Sequence, residues 1–360
     1  MPNFKNNRGE AQTIIFLVAL LFAAVGLWLV FDTAKEAFLN LDLPVLTQKP
    51  AQPSATPTPA QYADIEENLV LVISKLGEYD PKMVRTFEEK FPGKIQEFSY
   101  DAADALEKLK TQFKTARPET ILTLGEGASA WIKANEKNIP GFQDIQGMAI
   151  QDMVSEAEIA QKRPFFLVQR PSPESVFRSA GYILRDAHKK IVILYQTPAD
   201  DVYAEALYAQ GLSQQVEVEL KGINSEKDFG PVLKTLSKDL GWFLVVESKM
   251  LNTQFSTDIF RRFYKDYPKP FVTLGTTYEN LGAVFAVTPD IMSVGLALPN
   301  LIARLQAKEI PNASIPLEYT PNIAIKVYVS RANKLHFIRS ESYANLLKRD
   351  SPLYQITVLN

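Results

Sequence analysis

The sequence predicts an α/β protein in which two similar lobes, each built on a parallel sheet, follow one transmembrane helix. Three observations lead to this prediction. An uncharged apolar segment lies near the N-terminus, a proline-rich stretch follows it, and apolar runs then alternate with helical patterns. The length of 360 residues suits two domains, because about 150 residues per domain is usual.

The apolar segment, residues 13–31, is the predicted transmembrane helix. It contains no charged residue, and at about 1.5 Å per residue it would span roughly 28 Å, close to the hydrocarbon thickness of a bilayer. Lys5 and Arg8 precede it and Asp32 follows it, so residues 1–12 are expected in the cytoplasm and the remainder outside. The alternative is a cleaved signal peptide. Its apolar region is usually shorter, and no clear small-residue cleavage site follows this one.

The stretch after the apolar segment is predicted to be a linker, residues 32–67. Within it, residues 43–61 are rich in Pro, Ala and Thr. Such a composition cannot form a core and favours polyproline II. We therefore expect a spacer that holds the folded part away from the bilayer.

The first series of elements begins after the linker. Its strand candidates are short apolar runs, and its first helix has Asp80 as a natural cap before Pro81. In chain order the candidates are strand Leu69–Ser74, helix Pro81–Phe91, strand 94–100, helix Ala102–Thr115, strand 120–125, helix Ala128–Lys137 and strand Phe166–Gln169.

A second series with the same alternation follows. Its strand runs are apolar throughout, which is typical of parallel strands covered on both faces. The candidates are helix Glu174–His188, strand 191–195, helix Val202–Ser213, strand 216–220, helix Lys227–Asp239, strand 242–247, helix Thr257–Tyr267, strands 271–275 and 282–287, and helix Ile291–Ala307. Two such series in tandem predict two similar lobes.

Composition and motifs exclude several function classes. The chain has no cysteine, which rules out disulfides, thiolate metal sites and a cysteine nucleophile. A net charge of −2 gives no sign of a nucleic-acid partner. With two histidines and no nucleophile elbow, H-E-x-x-H pair or Walker loop, we expect a protein that is not an enzyme and uses no cofactor or metal.

The order and spacing of three stretches resemble a known family. They are EFSYDAADALEKLKTQFKTARPETILTLGEGASAWIKA, KKIVILYQTPADD and the segment from GAVFAVTPD to SRANKL. The chain resembles the substrate-binding proteins of one bacterial ABC-transporter family, with the type I periplasmic-binding-protein fold, over roughly residues 68–335. The resemblance implies two Rossmann-like lobes: residues 68–170 plus 283–308, and residues 171–282 plus 309–360. It also implies a ligand cleft lined by the loops between them.

The candidate site residues follow the C-terminal ends of predicted strands, where open α/β sheets bind ligands. The turn at Gly125 suits close backbone approach and an anion at a helix start. The predicted ligand-binding residues are Ser74, Tyr79, Tyr100, Gly125, Glu126, Gly127, Ser129, Thr197, Asp200, Asp201, Glu247, Ser248, Thr276, Thr277 and Asp290.

Each candidate also has a structural interpretation. Asp200, Asp201 and Asp290 are natural helix caps, Glu126 is itself suited to the positive end of a helix, and the Gly125 turn serves a plain strand–helix connection equally well. Aromatic residues after the first strands either stack on a ligand or cover the sheet end.

Two functions remain open at this point. The resemblance implies a solute-binding protein of an ABC-type uptake system, anchored in a bacterial inner membrane by residues 13–31, with its folded part in the periplasm or outside. The alternative is a ligand-free structural or assembly subunit of an envelope complex. Glu126 favours the alternative, because related proteins carry a small hydroxyl residue at this turn.

Overall fold

The computed structural model describes most of the chain after the linker. The described residues are 69–75, 77, 79–161, 164–184, 186–187, 189–267, 269–307, 317–320, 322–328 and 354–359. The predicted transmembrane helix (residues 13–31) and linker (residues 32–67) lie outside them. Within the described ranges, none of the helices has both the length and the apolar content needed to cross a membrane.

Nine of the thirteen described strands form at predicted apolar runs. The described strands are β1 (Leu69–Ser74), β2 (Lys94–Ser99), β3 (Thr120–Leu124), β4 (Gln146–Gln151), β5 (Phe165–Pro171), β6 (Ile191–Gln196), β7 (Val218–Ile223), β8 (Trp242–Val246), β9 (Phe271–Leu274), β10 (Phe285–Pro289), β11 (Leu317–Thr320), β12 (Ile323–Tyr328) and β13 (Tyr354–Leu359). Strands β4, β11, β12 and β13 are not among the predicted strands, although β4 lies between β3 and β5 in the sheet.

The helices alternate with the strands. They are α1 (Pro81–Lys90), α2 (Ala105–Thr115), α3 (Glu126–Asn135), α4 (Glu156–Ala160), α5 (Pro173–Ile183), α6 (Asp201–Ser213), α7 (Glu226–Lys234), α8 (Gln254–Asp266) and α9 (Ile291–Gln306). The expected cap of α1 is present, because the Asp80 side chain accepts a hydrogen bond from the Lys82 amide.

Two sheets define two lobes. The first sheet has the order β11-β5-β4-β3-β1-β2, and all of its neighbouring strands are parallel. The second has the order β13-β12-β10-β9-β8-β6-β7, and only the β10–β12 pair is antiparallel. Strand β1 shows why the runs are apolar throughout. Val70 and Val72 belong to one core cluster and Leu71 and Ile73 to another, so both faces are covered.

Between its described elements, the chain crosses from one lobe to the other three times. It passes from β5 to α5, which packs on the second sheet, from β10 to α9, which packs on the first, and from β11 to β12. The crossings are joined by backbone hydrogen bonds. The Ser172 amide donates to the Thr320 carbonyl over 3.0 Å, and the Asp290 amide donates to the Asn322 carbonyl over 3.1 Å.

The lobe boundaries differ from the implied ones in two strands. Residues 283–308 were expected in the first lobe, but β10 pairs in the second sheet and only α9 packs on the first. Residues 309–360 were expected in the second lobe, but β11 pairs with β5 in the first sheet. Strand–helix alternation gives the order of elements and carries no information on which of two sheets a strand joins, which explains the difference.

Candidate functional site

The turn after β3 places an acidic side chain at the face of the first lobe. Gly125 has φ 90°, a left-handed value that favours glycine, and its amide donates to the Ile150 carbonyl over 2.8 Å. Helix α3 starts at the next residue, Glu126. The Ser129 hydroxyl lies 2.9 Å from the Thr123 hydroxyl, and so it faces its own strand. Gly127 lies in the first turn of the same helix.

Glu126 reaches across to the second lobe. Its Oε2 accepts a hydrogen bond from Lys249 Nζ, in the loop after β8, over 3.2 Å. The Lys249 side chain is 83% exposed and that of Glu126 is 38% exposed. An ion pair this exposed contributes little to stability, because water and salt screen it. It nevertheless shows that the loops of the two lobes meet here.

A second ion pair between the lobes is buried. Arg170, at the end of β5, donates from Nη2 to Asp200 Oδ1 over 2.7 Å, and the two side chains are 9% and 0% exposed. The Arg170 Nε also donates to the Asp152 carbonyl over 3.0 Å. Asp200 Oδ2 accepts from the Gln196 amide over 3.3 Å. Asp200 therefore binds Arg170 and makes no side-chain cap to α6, although it occupies the capping position.

Two tyrosines enclose this pair. The Tyr203 hydroxyl donates to the Pro171 carbonyl over 2.7 Å, and its ring lies 5.3 Å from the guanidinium carbon of Arg170. The Tyr319 ring lies 5.3 Å from that of Tyr203. We call Asp152, Arg170, Asp200, Tyr203 and Tyr319 the junction cluster. These residues line a small pocket with a free volume of about 10 Å³ that is partly open to solvent.

Burial controls the protonation of the junction cluster. It raises the pKa of Asp200 to about 6, against the opposing effects of Arg170 and of the Gln196 hydrogen bond, while Asp201 and Glu126 add to the rise. Burial also raises the pKa of Asp152. It raises the pKa of Tyr319 to about 12, so this hydroxyl stays protonated at neutral pH.

Within the part of the chain that the structure describes, two carboxylate oxygens near this cluster are buried without a hydrogen-bond partner. They are Glu126 Oε1, in the first lobe, and Asp201 Oδ1, in the second. Both residues influence the Asp200 carboxyl electrostatically, so the acids of the two lobes share one region. Unsatisfied acceptors of this kind are rare in protein interiors and call for a partner.

The Glu247 carboxylate, in contrast, finds its hydrogen-bond donors within the second lobe. Its carboxylate accepts hydrogen bonds from the Thr273 hydroxyl over 2.6 Å, the Thr277 amide over 3.0 Å and the Tyr278 amide over 3.1 Å. Gly275 lies against it with φ 150°, and a Cβ at this position would overlap the Glu247 carboxyl. Glu247 thus holds the turn after β9.

Three other predicted residues after strands of the second lobe serve local structure. Ser248 Oγ accepts from the Leu251 amide over 3.3 Å. Asp290 caps α9, since its Oδ1 accepts from the Met292 amide over 3.2 Å, which is the capping interpretation of this residue. The Thr197 amide donates to the Ile223 carbonyl over 3.1 Å. Thr276 is exposed in the β9 turn.

The remaining predicted residues lie in the first lobe. Ser74 is buried at the end of β1. Tyr79 packs against the core cluster that contains α1. The Tyr100 ring lies 6.0 Å from that of Trp131, and so it covers the end of the sheet. None of these three is among the residues lining the described pocket.

Sequence reasoning missed most of the junction cluster. Of its members, only Asp200 was a candidate; Lys249 was also missed. One signal was present: Arg170 is a charge two residues after the apolar run Phe165–Val168, directly before a proline. A buried arginine requires an acidic partner, and this rule directs attention to the acids after β6.

The comparisons with known proteins identify the fold. Neither a protein-family model nor a curated protein matches the sequence. A substrate-binding protein with adhesive properties from Clostridium difficile, in its ligand-free, open structure, is similar with a TM-score of 0.53 and 12% identity, over 81% of this chain and 100% of that one. The ABC domain in complex with L-Trp from Streptococcus pneumonia gives a TM-score of 0.47 and 13% identity, over 81% and 100%. The chain has the type I periplasmic-binding-protein fold that the resemblance implied.

Proposed function

We propose that this protein binds a small molecule between its two lobes, as the solute-binding component of an ABC-type uptake system. We further propose that residues 13–31 anchor it in a bacterial inner membrane, with the lobes in the periplasm or outside. The proposed role is binding without catalysis. Support comes from the fold, from the uncharged apolar segment and from the charged side chains at the meeting point of the lobes.

The observation that carries the binding role is the pair of unpartnered carboxylate oxygens, Glu126 Oε1 and Asp201 Oδ1. One comes from each lobe, and each follows a parallel strand at the end where such folds bind ligands. An anionic oxygen buried without a donor is costly unless a cation or a hydrogen-bond donor joins it. We therefore propose a ligand that carries an ammonium group.

A thermal-shift screen with the soluble part of the chain tests this role. Amines, amino acids, purines and sugars form the panel. At 100 times its dissociation constant, a ligand stabilises the fold by about 2.7 kcal/mol, which raises the melting temperature measurably. We expect amine-bearing solutes to stabilise the wild type and to lose this effect in Glu126→Gln and Asp201→Asn.

The matched control is Asp258→Asn, which removes the same charge from the exposed surface of α8. It should keep the full ligand response. Equal stabilisation of all three variants would place the ligand elsewhere, and no stabilisation of the wild type by any solute would contradict the binding role.

Protease accessibility tests the proposed anchoring. Added outside intact inner membranes, protease should digest the lobes and spare residues 1–12. A mature protein that lacks residues 1–31 and is free in solution would contradict the anchor.

A second function is favoured by one specific observation. The pocket at the junction cluster has a free volume of about 10 Å³, room for about one water molecule, and the lobes' own side chains pair across the junction. A structural subunit of an envelope complex would need no larger site. Under this alternative, no solute shifts the melting temperature, and the full chain extracted from membranes purifies in a fixed ratio with the same envelope protein in wild type and Glu126→Gln.

A further inference from the structure

The two ion pairs that join the lobes among the described residues differ in burial, and this difference bears on how the lobes separate. Both pairs join a residue of the first lobe to one of the second. Arg170–Asp200 is buried beside the crossing from β5 to α5, whereas Glu126–Lys249 is exposed. We call the arrangement in which Arg170 contacts Asp200 the joined arrangement.

We propose that the buried Arg170–Asp200 pair regulates the opening of the cleft. The pair aligns the two lobes, and the cost of burying its charges keeps the joined arrangement close in free energy to an opened one. The proposal rests on the proposed function only in assuming that the cleft between the lobes binds a ligand. Its test needs no ligand, so its failure and the failure of ligand binding are separate results.

The geometry gives the pair this property. Taking two charges out of water is costly, and their attraction offsets this cost only when further hydrogen bonds satisfy them. Arg170 contacts Asp200, the Asp152 carbonyl and the Tyr203 ring, and Asp200 accepts one amide besides. The rise in the Asp200 pKa agrees with an incomplete offset, because ionised Asp200 is held less well here than in water.

Opening would return both charges to water, whereas the neighbouring contacts would be lost. The Tyr203–Pro171 hydrogen bond and the Tyr203–Tyr319 ring contact also link the lobes. The pair therefore opposes these contacts and brings the two arrangements closer together in free energy. Removing Arg170 leaves the buried Asp200 charge without its partner and favours opening, while replacing both partners by apolar side chains of similar size favours the joined arrangement.

A distance measurement between the lobes tests the proposal. The chain has no cysteine, so spin labels at Lys114→Cys on α2 and Lys234→Cys on α7 would be its only labels. In the full chain without ligand, we expect Arg170→Met to raise the ratio of long to short distances at least about tenfold. The double variant Arg170→Met/Asp200→Leu should shift the distribution to the short side of wild type.

The exposed pair supplies the matched control. Lys249→Met breaks an ion pair between the same lobes and should leave the distance distribution unchanged. Arg170→Gln keeps a hydrogen-bond donor at this position and serves if Arg170→Met does not fold, and it should give the same lengthening in smaller degree. A double variant that opens as far as Arg170→Met, or single variants that fold and leave the distances unchanged, would overturn the proposal.

Discussion

Asp200 and Glu247 are both buried acids that follow strands of the second sheet, yet their carboxylates bind partners in different lobes. Glu247 accepts three hydrogen bonds from neutral donors of its own lobe. Asp200 binds an arginine of the other lobe. A carboxylate satisfied within one lobe stabilises that lobe in any arrangement, whereas one satisfied across the junction changes its surroundings when the lobes move. Both acids follow a strand, so their position in the sequence does not distinguish these two roles. The residues that they bind do.

The largest expected effect on stability comes from replacing Glu247, the acid whose partners all lie in its own lobe. Glu247→Leu removes the acceptor for the Thr273 hydroxyl and for two backbone amides, leaving buried donors unsatisfied. We expect a loss of about 3 kcal/mol or more in the free energy of unfolding, measured by denaturant titration. Ser248→Ala, which removes one acceptor at the next residue, is the control and should lose about 1 kcal/mol. Equal losses would mean that Glu247 does not hold the turn.

The next effect concerns the pH dependence of Asp200. Its pKa is raised from 3.8 to about 6, so the folded protein binds this proton more tightly than the unfolded chain. The resulting stabilisation is fully present below about pH 3.8 and is lost as the pH rises through about 6. A shift of this size corresponds to roughly 3 kcal/mol at most.

Asp200→Asn removes this titration. The free energy of unfolding of the wild type, minus that of the variant, should therefore fall between pH 4 and pH 7. The measurement is a pair of denaturation series across this range. A difference that rises with pH would show that Arg170 outweighs burial and lowers the pKa of Asp200.

The smallest expected effect on stability concerns Asp290, an acid that is not buried and does not bind a residue of the other lobe. Asp290 caps α9 through its hydrogen bond to the Met292 amide. We expect Asp290→Ala to cost about 1 kcal/mol by denaturant titration, with Asp290→Ser retaining most of the stability because serine also caps helices. A loss in the serine variant as large as in the alanine variant would indicate a role beyond capping.

Much of the fold follows from periodicity alone. Strand β1 has the same bounds as the predicted run Leu69–Ser74, and helix α9 starts at Ile291 as expected. The missed strand β4 contains Gln146 and Gly147, whose low hydrophobicity shortens the apolar run. Its position is fixed by pairing with β3 and β5, and such tertiary contacts leave little trace in a local pattern.

The ligand-binding residues stay predictions. Strand ends identify the loops where the lobes meet, which is why Glu126 and Asp200 are among the predicted residues. Arg170 lies within a strand that reads as core, and only the meeting of the two lobes gives it a partner. Pairing across the junction depends on distances between residues far apart in sequence, so the acids could be listed, but which of them pairs with Arg170 could not be predicted.

The three crossings between the lobes have a consequence for biosynthesis. Helix α9 and strand β11 complete the first lobe, but they follow all the strands from β6 to β10 in the chain. As the polypeptide leaves the ribosome, the first lobe lacks a covering helix and an edge strand until residue 320 has been made. The apolar face that α9 covers, which includes Val70, Met83 and Phe87, must stay uncovered through that interval. Nascent chains that pause before α9 should therefore be the ones that bind chaperones most strongly.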